Sequence, residues 1–147
     1  MNVPWITKQA ENAKRREARK AKPLSLPEWL LQAAAIAEWH KCEEEGMALS
    51  AVGDMNAARR SYQTAMQCKA MGMVAGEPDV RLYGYPTRVL FVEFKRKGEK
   101  LSKKQVERHD RLAQLGHQVL LVAPVDQDDA RRIARNIATK FCEEGRE

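Results

Sequence analysis

No run of apolar residues in this 147-residue chain is long enough to span a bilayer, and its N-terminus lacks the apolar core of a secretion signal. Cysteine is scarce: Cys42, Cys68 and Cys142 are odd in number, widely spaced and never arranged as CxxC. That pattern argues against both a disulfide framework and a zinc site built on paired cysteines. No internal repeat is visible, and no low-complexity segment beyond a basic N-terminal stretch. These absences point to a protein of the reducing cytoplasm.

What is present is an ordinary globular composition, 44% hydrophobic and 31% charged, in a chain long enough to bury one real core. The formal charge is +6 and the pI about 9.4, a balance that favours acidic partners, nucleic acid foremost. The charge is unevenly spread. Residues 1–22 hold seven Lys/Arg against Glu11 and Glu17, and residues 88–111 hold nine against four acids. Residues 28–54 run the other way, with Lys41 against six acids.

The segment 1–24 reads as a basic flexible arm able to lie along phosphates, and 25–147 as a single domain. Its pattern predicts a helix after Ser25 or Leu26, opening with Pro27 and Glu28 and stopped by Gly46, with Leu30, Leu31, Ala34, Ala35, Ala37 and Trp39 packed. A short strand over 47–52 and a turn at Gly53–Asp54 follow, then a second helix over 55–72. Residues 79–84 and 87–95 read as strands joined by a hairpin-like turn. A helix over 102–116 has Ser102 as N-cap and Gly116 as its stop, a buried strand spans 117–124, and a helix with acids in its first turn closes the chain. The order describes a small α/β sandwich, a mixed sheet flanked by helices.

The stretch "VLFVEFKRKGEK" (89–100) places Glu93 and Lys95 where a strand core should be driest, and an unpaired charge there is costly. Alternation puts both on one strand face, with Phe94 turned away. Were the strands 79–84 and 87–95 to pair as a hairpin, Asp79 would come beside Glu93. Two hard carboxylates without His or Cys neighbours suit Mg²⁺ or Mn²⁺, with water or phosphate completing the coordination. A lysine beside them suits phosphodiester hydrolysis. Taken alone, an E-x-K pair is most often a surface ion pair worth under about 1 kcal/mol. The combination of Pro-Asp before one strand, Glu-x-Lys ending the next and a glutamine on the following helix is much narrower.

"GEPDVRLYG…VLFVEFKRKGEKLSKKQ" resembles the VRR-NUC branch of the PD-(D/E)XK nuclease superfamily, in particular its small stand-alone members from phages and bacteria. The resemblance covers roughly residues 27–124, with Asp79 at the Pro-Asp position, Glu93 and Lys95 at E-x-K and Gln105 as the helix glutamine. "EWLLQAAAIAEW" is similar to the family's first helix. "ALSAVGDMNAA" departs from the family's strand and Pro-Asn-Gly turn, which leaves Asn56, Arg59 and Arg60 without an assigned role.

The resemblance implies a restriction-endonuclease-like fold and a metal-dependent DNA endonuclease. Asp79 and Glu93 would ligate Mg²⁺ or Mn²⁺ together with the Phe94 backbone carbonyl, and Lys95 would activate the attacking water. Gln105 would touch Lys95 or orient water. Glu28 would face the same cleft as a further carboxylate; its other reading is a first-turn acid complementing the helix dipole. Lys97, Lys100, Lys103 and Lys104 are candidate phosphate contacts. The family further implies a homodimer acting on branched or structured DNA, such as a Holliday junction or a flap, in a host-cell cytoplasm if phage-encoded.

Two rivals stand beside this reading: a basic DNA-binding module without catalysis, and an accessory nuclease active only with a replication or recombination partner. His109 is expected to be exposed on its charged helix and His117 to be a turn residue, so neither enters the site. Trp29 and Trp39 are expected to pack the first helix, Trp5 has no placement, and Met66, Met71 and Met73 are expected to fill the core.

Overall fold

The computed structural model describes residues 26–54 and 61–146, together with Asn12. The basic arm expected over 1–24 lies outside these apart from Asn12, as do Trp5, Asn56, Arg59 and Arg60.

Among the described residues the elements run α1 (Glu28–Glu44), β1 (Leu49–Gly53), α2 (Tyr62–Ala70), β2 (Val80–Gly84), β3 (Arg88–Phe94), α3 (Lys103–Gln114), β4 (Gln118–Val122) and α4 (Gln127–Glu144). The strands form one sheet in the order β1-β2-β3-β4. β1, β2 and β3 pair antiparallel, whereas β4 lies parallel to β3. A parallel neighbour needs a crossover, and α3 provides it. The expected α/β sandwich with a mixed sheet is what these residues form.

Strand alternation sorts the sheet into two unlike faces. Leu90, Val92 and Phe94 on β3 stand in register with Leu82 and Val80 on β2 and with Leu120 and Val122 on β4. This apolar face packs against α1 and α4 through Leu31, Ala35, Trp39, Ala134, Ala138 and Phe141. Trp39 is fully buried, its indole N–H donates to the Ala134 carbonyl at 2.8 Å, and its ring meets Phe94 edge-on at 6.3 Å. That bond resolves the polar cost of burying a tryptophan. Gly84 makes room for the other end of the core, since a Cβ there would stand 2.4 Å from the Phe141 ring.

The second face carries Phe91 and Glu93, both buried, beneath α3, whose one buried residue is Leu112. Val52, Tyr83 and Leu121 remain exposed, so among the described residues α3 covers this face incompletely.

Several expectations need correction. The N-cap of α1 is Pro27, which makes no side-chain cap bond. The helix expected over 55–72 is described only as Tyr62–Ala70, N-capped by Ser61; residues 55–60 lie outside the described residues. It buries none of its residues, so Met66 and Met71 are exposed and fill no core. Trp29 is 66% exposed, because it falls off the Leu31–Ala34–Ala35 stripe that faces the sheet and α4. Ala37 is exposed for the same reason. The strand expected to be buried over 117–124 is the shorter β4, an edge strand with Leu121 open to solvent. All three cysteines are free thiols.

Candidate active site

The hairpin register places the acidic residues. Gly53 pairs with Val80, and Val80 with Val92, which sets Asp54, Asp79 and Glu93 one step further along at the same sheet end. The Asp54 amide donates to the Asp79 carbonyl at 2.7 Å. Asp79 turns its carboxylate across to β3, where Oδ2 accepts from the Phe94 amide at 2.7 Å. The aspartate before β2 is thereby tied to the strand that carries Glu93 and Lys95.

The approach to Asp79 is fixed from the other side. Gly76 has φ +83°, and a Cβ on it would stand 2.4 Å from the Lys104 carbonyl oxygen, so the loop lies directly on the first turn of α3. Glu77 accepts from Arg108 Nε at 2.5 Å, a second tie between this loop and the same helix. Pro78, between Glu77 and Asp79, is fully buried.

Glu93 is only 1% exposed, the one charged residue in the buried set. Its Oε1 accepts from Gln105 Nε2 at 2.5 Å and lies 3.4 Å from Lys95 Nζ. Gln105 does two things at once. Its Oε1 accepts from the Ser102 amide at 2.9 Å while Ser102 Oγ accepts from the Gln105 amide, a reciprocal capping box that fixes the start of α3. Gln105, expected to touch Lys95 or to orient water, shares the Glu93 Oε1 atom with Lys95.

Burial, the neighbouring Asp79 carboxylate and Glu28 push the Glu93 carboxyl up to about 7, against the opposing pull of Lys95. Asp79 is raised by burial, with the Phe94 amide and Lys95 opposing and Asp54 adding to the rise. Glu28 is likewise raised by burial, and it feels Lys95 and Asp79 directly. From the first turn of α1 it lies within electrostatic reach of this cluster. Lys95 is the cation common to all three environments and is itself mostly buried.

Two participants were missed from sequence. His109, expected to be exposed, has a side chain only 12% accessible and sets Nε2 3.6 Å from Glu93 Oε2. Burial and Lys95 lower its pKa, which favours the uncharged ring. The readable signal was the i, i+4, i+7 spacing of Gln105, His109 and Leu112 on one helical stripe. Asp54 is the second, beside Asp79 and 3.6 Å from Arg81. His117 stays out of the site, edge-on to Phe91 at 5.4 Å. Lys97, Lys100, Lys103 and Lys104 are all exposed, along the loop after β3 and the first turn of α3.

Among the described residues, no three His, Cys, Asp or Glu side chains stand close enough to form a ready-made cation cage. The donor set still fits a hard divalent ion of the Mg²⁺ kind, which is commonly held by one or two carboxylates with water and substrate phosphate in the remaining positions. Two carboxyls raised by burial, with Asp79 adding to the rise of Glu93, are a site that a cation would relieve.

No family model matches the chain, and no curated protein matches it in sequence. Among solved structures, one described as "VRR_NUC domain" is similar over 78% of this chain and 96% of its own, with 17% identity and a TM-score of 0.48.

Proposed function

We propose that the chain is a metal-dependent DNA endonuclease that hydrolyses phosphodiester bonds, most readily in branched or structured DNA. The observation that carries this reading is the convergence of Asp79, Glu93 and Lys95 at one sheet end, with both carboxyls raised by burial. The sequence motif that these three residues complete supports the same chemistry.

Asp79, Glu93 and the Phe94 backbone carbonyl would hold the ion, Mg²⁺ or Mn²⁺, with Glu28 as a further carboxylate at the rim. When bound, such an ion supplies Lewis-acid polarisation of a phosphate oxygen and lowers the pKa of water. The protein residues do the rest. Asp79 is held by the Phe94 amide and Glu93 by Gln105, so neither carboxylate has to be ordered at the moment of reaction. Lys95 holds a water near the scissile phosphate and offsets charge as it develops there. Lys97, Lys100, Lys103 and Lys104 contact backbone phosphates along the approach, which gives affinity without sequence choice. One such site cuts one strand, so symmetric cleavage of a junction calls for a homodimer.

One observation favours a second reading. Lys95 Nζ stands 3.4 Å from Glu93 Oε1, on the carboxylate that would take the cation. A site whose lysine has to yield before metal enters suits an accessory nuclease that is completed only by DNA or by a replication or recombination partner. A basic DNA-binding module that never cuts is the limiting case. The test is incubation of the purified chain with labelled linear duplex, flap and four-way-junction DNA, with Mg²⁺ or Mn²⁺ and with EDTA. Metal-dependent cutting, fastest on the branched substrates, supports the endonuclease. Binding without cutting on every substrate supports the partner-dependent reading.

A further inference from the structure

Glu93 has two oxygens in unequal surroundings. Oε1 is engaged by Gln105 Nε2 at 2.5 Å and by Lys95 Nζ at 3.4 Å. Oε2 faces His109 Nε2 at 3.6 Å, and both of these buried atoms lack a hydrogen-bond partner. Leaving two buried polar atoms unpaired is costly, and here they point at each other. The separation exceeds a hydrogen bond by about 0.5 Å, a gap that a small side-chain rotation closes. Site hydrogen bonds commonly tighten in this way once substrate is bound.

We propose that His109 is a positioning residue for Glu93: its Nε2–H donates to Oε2 as Gln105 Nε2–H donates to Oε1, so one face of α3 holds both oxygens of the carboxylate. Gln105 and His109 are four residues apart and therefore lie on one stripe of the helix. The helix that carries them is anchored by the Ser102 capping box and by the Arg108–Glu77 pair. Two bonds from a fixed helix set the plane of the carboxylate, which one bond cannot do, and leave the outer lone pair of Oε2 for a cation, while that of Oε1 faces Lys95. The inference extends the nuclease reading in naming that cation, but the clasp itself is independent of whether the chain cuts DNA.

The experiment combines His109→Leu and His109→Gln with three readouts on the full chain: calorimetric titration with Mn²⁺ alone, ¹⁵N NMR of the His109 ring, and DNA cleavage. Thermal midpoints serve as the control for folding. The wild type is expected to carry its ring proton on Nε2 and to exchange it slowly. His109→Leu is expected to weaken Mn²⁺ binding by about 10- to 100-fold and to lower kcat with the KM for DNA unchanged. His109→Gln, whose amide nitrogen reaches the place of Nε2, should recover most of the loss. A ring protonated on Nδ1, or Mn²⁺ affinity unchanged in His109→Leu, overturns the proposal. A wild type with the Nε2 proton and tight Mn²⁺ binding but no cleavage keeps the clasp and defeats the nuclease reading instead.

Discussion

Gln105 ties the start of α3 to Glu93: its side-chain oxygen caps the helix through the Ser102 amide while its side-chain nitrogen donates to Glu93 Oε1. One residue thus couples helix placement to the orientation of a buried carboxylate. The two roles separate by substitution. Gln105→Glu keeps the capping acceptor and removes the donor, so helix content by circular dichroism should hold while kcat falls by about 10-fold or more. Gln105→Ala removes both and should in addition cost about 1 kcal/mol of stability in a denaturant titration. Full activity in Gln105→Glu would show that the bond to Glu93 positions nothing.

Glu93 makes metal-free stability depend on pH. Its carboxyl lies near 7 in the folded protein, raised first by burial and then by Asp79, against 4.5 in the unfolded chain. Between those values the folded state binds more protons than the unfolded one, so stability is greatest below about pH 4.5 on this group's account and falls as pH rises to 7. The contribution is on the order of 3 kcal/mol. Glu93→Gln should flatten that slope in EDTA, measured as the denaturation midpoint against pH. The same slope in both proteins would place the titration elsewhere.

Gly76 is expected to tolerate no side chain. With φ at +83° and the Lys104 carbonyl 2.4 Å from where a Cβ would lie, Gly76→Ala strains the backbone and pushes the Asp79 loop off α3. A destabilisation of about 2 kcal/mol or more is expected, with cleavage reduced at temperatures where the protein is still folded. A midpoint equal to that of the wild type would mean that the loop moves freely on the helix.

The exposed lysines should act additively and without sequence preference. Replacing Lys97, Lys100, Lys103 or Lys104 by alanine should lower the slope of log affinity against log salt by roughly 0.9 for each duplex phosphate that the protein no longer neutralises. A slope unchanged in the fourfold variant would put the DNA path on another face.

Much of this was legible in the sequence, for identifiable reasons. Glu93 and Lys95 interrupt an apolar strand, and the Gly-Tyr-Pro turn makes β2 and β3 a hairpin, so the meeting of Asp79 with Glu93 follows from register. Ser102 and Gln105 stand at capping-box spacing. His109 was hidden because half of α3 is charged, including both of its neighbours Arg108 and Asp110, and its burial comes from the sheet beneath. Trp29, Met66 and Met71 mislead in the opposite direction: large apolar side chains were read as core, but all three stand exposed. The tie between Glu77 and Arg108 joins residues 31 apart in the chain and has no local signature.

Lys95 tests the central claim most directly. Single-turnover cleavage of labelled four-way-junction DNA in Mn²⁺, by the wild type and by Lys95→Ala, should show metal-dependent cutting that drops by at least about 100-fold in the variant while DNA affinity changes little. Cleavage by Lys95→Ala at the wild-type rate would contradict the assignment of the site.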